Sequence, residues 1–418
     1  MLLARTLKAW VTHGHLRIVD ANGAVFDCGD VSAPPVTIRL HDRRLHHRLL
    51  LWPGLAFGEA YMDGTLTIEA GSLADLLQIL MANDRPRHEF PFQRYARWLD
   101  RMSRRLQQFN PVSRARANVA HHYDLSGKLY DLFLDQDRQY SCAYFTSPED
   151  SLETAQENKK RHIASKLLIR PGQRVLDIGS GWGGLALYLA RETASDVTGV
   201  TLSTEQYAAA NRRSAEAGLD NRVRFFLRDY RQMEGRFDRI VSVGMFEHVG
   251  ATHYPMFFRK IKSLLADDGV ALLHSIGRME PPGTTNAWLR KYIFPGGYSP
   301  ALSEVLRAIE QAGLWVTDIE ILRLHYADTL KAWYDRFQAN RDQIRDLYDE
   351  RFCRMWEFYL LGCEIAFRHW NQMVFQIQLA KRPDAVPLTR DYLFEWEQAQ
   401  LGGAKPHANQ TKTVEVAA

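Results

Sequence analysis

Val175-Leu176-Asp177-Ile178-Gly179-Ser180-Gly181-Trp182-Gly183-Gly184 is an apolar run that breaks into glycines and continues as a helical pattern. Such a stretch reads as a strand, a tight turn and a helix N-terminus, where the backbone approaches a ligand closely and presents N–H groups to it. The same alternation continues outward from it. Residues 174–178, 196–202, 223–227 and 239–243 read as buried strands, with helices predicted at 183–192, 205–217 and 254–266. Residues 269–276 make a fifth strand. A helix at 304–312, closed by Gly313, leads to a sixth strand at 314–324, and 373–379 supplies the last. The pattern predicts an α/β protein with a doubly wound, seven-stranded Rossmann-like sheet.

At 418 residues the chain exceeds one core and suits two domains. With 46% hydrophobic and 24% charged residues it lies far from disordered, collagenous and coiled-coil compositions. The first 80 or so residues mix strand-like runs at 16–19 and 36–40 with a helix at 73–81, which predicts a smaller α+β domain. Residues 85–118 carry Arg85, Arg87, Arg94, Arg97, Arg101, Arg104, Arg105, Arg114 and Arg116, interleaved with Phe92, Tyr95, Trp98, Leu99, Met102 and Leu106. This basic amphipathic segment reads either as a solvated helix packed on its neighbour or as a surface for anionic lipid headgroups. The expected division is 1–84, a linker at 85–118, a catalytic domain at 119–395 and a tail at 396–418. A net charge of +4 does not by itself argue for nucleic acid, and no RNA or DNA motif accompanies the arginines. No apolar run reaches membrane-spanning length, and the N-terminal residues lack a signal pattern, so the cytoplasm is expected. Cys28, Cys142, Cys353 and Cys363 form no close pairs, which predicts free thiols and no metal site.

Gly179, Gly181 and Gly184 satisfy the dinucleotide spacing, so the loop alone leaves both a nicotinamide cofactor and S-adenosylmethionine open. A nicotinamide enzyme needs a carboxylate at the tip of the second strand for the ribose hydroxyls. That tip reads Gly199-Val200-Thr201-Leu202-Ser203, which counts against a nicotinamide oxidoreductase and also departs from ordinary methyltransferases of this fold.

Ordered motifs extend along the rest of the chain: His121-His122-Tyr123-Asp124-Leu125, Tyr140-Ser141-Cys142-Ala143-Tyr144-Phe145, Thr201-Leu202-Ser203-Thr204-Glu205-Gln206, Glu247-His248-Val249-Gly250, Leu273-His274-Ser275-Ile276-Gly277, Tyr292-Ile293-Phe294-Pro295-Gly296-Gly297 and His325-Tyr326-Ala327-Asp328-Thr329-Leu330. This set resembles the cyclopropane-fatty-acyl-phospholipid synthases of bacteria and their mycolic-acid relatives, over residues 117 to about 381. Gly58-Glu59-Ala60-Tyr61-Met62-Asp63-Gly64 extends the resemblance to the larger, phospholipid-acting members. Ser180, where many relatives carry Cys, is a small departure.

The resemblance implies a class I methyltransferase-like fold and S-adenosylmethionine contacts at Tyr123, Tyr140, Ser141, Gly179, Gly181, Gly183, Thr201, Ser203, Gln206, Asp229 and Tyr230. It implies a catalytic bicarbonate ion held by Cys142, Glu247, His274, the Ile276 N–H and Tyr326. It also implies unsaturated phospholipids as substrate, peripheral association with the inner membrane face, and a homodimer. The chemistry suits such a set. An alkene held in line with a sulfonium methyl in a dry pocket accepts the methyl, and a placed base must then remove a proton from it before water intervenes. A protonated His274 or the Tyr326 hydroxyl would donate to the anion, and Glu247 would accept its proton. Residues 352–370, aromatic on nearly every helical face, read as the wall of an acyl-chain tunnel or as simple packing on the sheet, and 281–300 as a lid or entrance. The alternatives are a methyl-branching or methylene-forming relative and a non-catalytic lipid or nucleic-acid binder.

Overall fold

The computed structural model describes residues 2–83 and 127–402. The basic stretch 85–118 and Tyr123 lie outside the described residues, as does the tail beyond 402. In the N-terminal part, β1 (His15–Val19), β2 (Val25–Gly29), β3 (Val36–Leu40) and β4 (Leu66–Ala70) form one sheet in the order β2-β1-β3-β4, with only β1 and β3 parallel. Leu16, Ile18, Ile38, Leu40 and Leu66 point into its core with Leu45 and Leu76. β2 and β4 escape the sequence reading because both are edge strands and largely exposed, so neither needs a strong apolar run.

The second sheet contains β5 (Arg174–Ile178), β6 (Asp196–Thr201), β7 (Val223–Leu227), β8 (Phe237–Val243), β9 (Leu265–Arg278), β10 (Trp315–Ile321) and β11 (Gln372–Ala380), in the order β10-β11-β9-β8-β5-β6-β7. β5 to β9 pair in parallel, and β11 runs antiparallel to both neighbours. All seven expected strands are present; β5 and β7 keep the expected bounds, and the other five shift, most at β9 and β10. β9 begins earlier than expected because Leu265 already pairs with Phe237, and β10 ends at Ile321. The chain moves from β5 to β6 on one side and returns to β8 on the other. Ligand crevices open at the carboxyl ends of the strands at such a reversal.

Beside this sheet lies the helix Leu152–Leu167, whose sequence reads as polar. It nevertheless buries Lys159, Lys160, His162 and Lys166, each with a partner: Lys160 Nζ lies 2.8 Å from Asp137, and Lys159 Nζ donates to Gln139 Oε1 at 2.6 Å and Ser141 Oγ at 2.8 Å. Burial pulls Lys159 down to about 8.

The motif at 58–64 joins the two sheets. A Cβ on Gly58 would stand 2.5 Å from the Trp288 ring, so only glycine permits this approach. Trp288 Nε1 donates to Met62 Sδ, Tyr61 OH to Glu357 (2.8 Å), and Arg351 Nε to Asp63 (2.8 Å). Glu59 accepts from Lys291 Nζ (2.7 Å), Tyr292 OH (2.8 Å) and Arg48. Glu59→Ala leaves these donors without their acceptor. It should lower unfolding stability by about 1–3 kcal/mol in urea titrations, whereas Glu69→Ala, on an exposed pair, should cost under about 1 kcal/mol.

Candidate active site

Tyr140, Ser141, Gly179, Gly181, Thr201, Gln206, Asp229 and Tyr230 line one cleft at the carboxyl ends of β5, β6 and β8. Gly183 and Ser203 stand behind its wall. Gly183 has φ +86°, and a Cβ there would come within 2.8 Å of Phe225 and 3.0 Å of Ala210, so this glycine lets the helix Gly184–Thr193 seat closely against its neighbours. Ser203 caps the helix Thr204–Glu216: its Oγ accepts from Gln206 N (3.3 Å) and its N donates to Thr201 Oγ1 (3.2 Å). Thr201 Oγ1 donates to Gln206 Oε1 at 2.9 Å. The tip of β6 is therefore a neutral hydroxyl and amide network, which leaves the Gln206 amide nitrogen as a donor toward a ligand's hydroxyls.

Asp229 is buried, and both its oxygens are engaged by Arg231, at 2.8 Å to Nε and 2.7 Å to Nη2. Its carboxylate retains further lone pairs for an amino group. Ser141 and Gln139 are pinned from behind by Lys159, and Gln156 Nε2 donates to the Ser141 carbonyl at 3.0 Å. Tyr140 OH lies 2.8 Å from Tyr359 OH, which ties the cleft to the helix Glu350–His369.

One cleft residue goes unread at the sequence level. Asp177 is fully buried in β5, and its Oδ2 has no hydrogen-bond partner among the described residues. Burial pushes its carboxyl up to about 7. A lone acid inside the apolar run Val175–Ile178 is the signal that could have singled it out. Such a group answers a cationic ligand.

The second cluster lies across the sheet edge. Glu247 Oε1 accepts from Ile276 N at 2.7 Å, while Oε2 is buried with no partner among the described residues. Burial pushes this carboxyl up to about 7 against the opposing effect of the Ile276 bond. His274, two residues before Ile276 on β9, is buried, and its Nδ1 lies 3.1 Å from Gln376 Nε2. Burial, reinforced by the charges of Lys159, Lys166 and His162, pulls the ring down to about 3. The expectation of a protonated His274 is therefore corrected: the imidazole is neutral, because its pocket cannot solvate a cation. Cys142 and Tyr326 share one apolar cluster, with Ile276 packed against it. Burial raises the Cys142 thiol, which donates to the Ala143 carbonyl at 3.3 Å and is no nucleophile at neutral pH. The Ile276 N–H, expected to serve an anion, is taken by Glu247 here.

Glu247 also sets a pH dependence of stability. Its folded value near 7 exceeds the ordinary carboxylate value of 4.5, so folding binds protons and stability falls as pH rises between the two. Glu247→Gln removes that cost. The variant should gain about 3 kcal/mol over the parent at pH 8 and little at pH 4.5, read by chemical unfolding at both pH values.

The chain matches the family described as Mycolic acid cyclopropane synthetase over residues 111–377, and that described as Domain of unknown function (DUF7884) over 7–88. The cyclopropane-fatty-acyl-phospholipid synthase of Escherichia coli strain K12 is 39% identical over 351 residues, 83% of this chain and 88% of that protein. The tuberculostearic acid methyltransferase UfaA1 of Mycobacterium tuberculosis is 35% identical over 402 residues, 90% of each chain. The crystal structure of mycolic acid cyclopropane synthase CmaA1 complexed with SAH and CTAB aligns with a TM-score of 0.61 at 34% identity, covering 65% of this chain and 99% of that one. The family match over most of the chain, the extended identity and the shared seven-stranded architecture agree, and the chain belongs to the cyclopropane synthase family.

Proposed function

We propose that the protein transfers a methylene unit from S-adenosylmethionine to cis double bonds in the acyl chains of unsaturated phospholipids, forming cyclopropane rings. The observation that carries this reading is Glu247: a buried carboxylate anchored through one oxygen to β9, two residues beyond a neutral histidine, with the other oxygen unsatisfied among the described residues. Family membership supports the substrate class, and a solved relative in complex with SAH supports the cofactor.

S-adenosylmethionine supplies the carbon as an electrophilic sulfonium methyl, and its polar parts suit Thr201, Gln206, Asp229, Tyr140 and Ser141, with Asp177 as a nearby countercharge. A bicarbonate ion would supply the base. It offers one hydroxyl and further acceptor oxygens, which fits the Glu247 Oε2 acceptor together with the donors of His274 and Tyr326, while Cys142 contributes shape. Glu247 would accept the hydroxyl proton of such an ion and His274 would orient it, while the Ile276 N–H holds Glu247 in place.

The chain's further task is to exclude water from a cationic alkyl centre. The helix Glu350–His369 buries Trp356, Tyr359 and Phe367, and these join Tyr140, Tyr326 and Trp333 in one aromatic cluster. Tyr326 meets Trp333 edge-on at 5.8 Å and Phe367 at 4.7 Å. Such rings repel water and offer π faces to a carbocation. This supports reading residues 352–370 as the wall of the acyl site, and residues 281–300, which contribute Trp288, Ile293 and Phe294 to the same cluster, as its entrance.

The proposal includes the division at 1–84, 85–118, 119–395 and 396–418, a homodimer, and peripheral attachment to the inner membrane face. No helix of the described residues is long and apolar enough to cross a membrane. The lipid must then be reached from the bilayer surface.

With vesicles of unsaturated phospholipid and S-adenosylmethionine, the lipid should gain the mass of one CH₂, lose its alkene protons and acquire upfield ring protons. Unmodified lipid would refute the reading, and a methyl-branched or methylene product would assign the chain to the branching relatives instead. Because Glu247 must be ionised to accept a proton, kcat should rise with pH through about 7. Glu247→Gln should abolish that limb and lower kcat by about a hundredfold or more, while cofactor affinity stays within about threefold.

A further inference from the structure

β11 runs Gln372-Met373-Val374-Phe375-Gln376-Ile377-Gln378-Leu379-Ala380, and places Gln376 in the centre of a buried, otherwise largely apolar strand. Gln376 stands directly opposite His274 in the antiparallel register with β9. Its Nε2 lies 3.1 Å from His274 Nδ1, and its Oε1 accepts from Lys166 Nζ at 2.8 Å. All three side chains are 1–2% exposed, so water does not compete for these groups.

The direction of each bond follows from donor chemistry. An ammonium has donors only, so the amide oxygen must face Lys166 and the amide nitrogen must face the ring. The amide nitrogen also only donates, so Nδ1 must offer a lone pair. The single proton of the neutral imidazole then resides on Nε2. Lys166 is itself held, since it pairs with Glu320, which also receives His162 Nε2 at 2.6 Å, and His162 Nδ1 reaches Glu397 at 2.6 Å. The amide is thus oriented by a salt-bridged set that draws on the helix Leu152–Leu167 and β10.

We infer that Gln376, oriented by Lys166, is a positioning residue that holds His274 as the Nε2–H tautomer, so that the ring presents a donor to the anion site. The catalytic consequence rests on the reading of His274 given above; the tautomer does not. The assignment matters because the Ile276 N–H is engaged by Glu247, which leaves the ring proton as a principal donor on β9. The opposite tautomer would turn a lone pair toward an anion.

The test uses the full chain labelled with ¹⁵N-histidine, with His274→Asn to assign the ring signals. Long-range ¹H–¹⁵N spectra should show Nε2 protonated and Nδ1 bare in the native protein. Gln376→Glu keeps the shape and the Lys166 partner but puts an acceptor against Nδ1. It should move the proton to Nδ1 and lower kcat about tenfold or more, with KM for S-adenosylmethionine roughly unchanged. Gln376→Leu, similar in volume, should leave both tautomers populated. A native ring protonated on Nδ1, or on both nitrogens, overturns the inference, as does a Gln376→Glu ring that keeps Nε2–H. A tautomer that switches in Gln376→Glu while kcat stays unchanged upholds the tautomer assignment and overturns His274 as the anion's donor.

Discussion

β11 enters antiparallel between β9 and β10, and the register this sets is the constraint on which the surroundings of His274 and Ile276 depend. It puts His274 opposite Gln376 and Ile276 opposite Val374, while the parallel partner β8 puts Val243 beside His274. Side chains alternate along a strand, so a slip of one residue would carry His274 to the other face of the sheet and bring Phe375 opposite it. The apolar positions Met373, Phe375, Ile377 and Leu379 lock the register by filling one core, which leaves Gln376 and Gln378 to face the polar groups of the helix Leu152–Leu167.

That helix shows how the site is held from behind. Burying three lysines and a histidine costs far more than exposed charges would, and the cost is offset only because each finds a carboxylate, carbonyl or amide at hydrogen-bond distance. The return is positional. Lys159 fixes the strand of backbone that carries Tyr140 and Ser141, and Lys166 fixes the amide behind His274. Burial keeps that histidine neutral and the same cations reinforce it, so electrostatics and geometry act in one direction.

The aromatic cluster links chemistry to architecture. Tyr140 lines the cleft at the carboxyl ends of β5, β6 and β8 and packs against the cluster, and its hydroxyl meets that of Tyr359. The N-terminal motif at 58–64 braces the outer side of the same helix through Tyr61 and Asp63, and braces Trp288 through Gly58 and Met62. The buried rings are therefore clamped from both parts of the chain.

The glycine loop after β5 and the apolar strand runs were legible as sequence because local backbone requirements and burial leave a periodic trace. So was the absence of a carboxylate at the tip of β6, and the ordered motifs carried the family and the residues of both clusters. Other features left little local trace. The helix Leu152–Leu167 reads as solvated, and only its buried position reveals its lysines as structural. Asp177 is a lone acid in an apolar strand and Gln376 one of three glutamines in β11, and the meaning of each depends on what stands opposite. The neutral state of His274 and the engagement of Ile276 N–H by Glu247 were likewise decided by tertiary structure, because protonation and hydrogen-bond direction are set by desolvation and by partners distant in the chain.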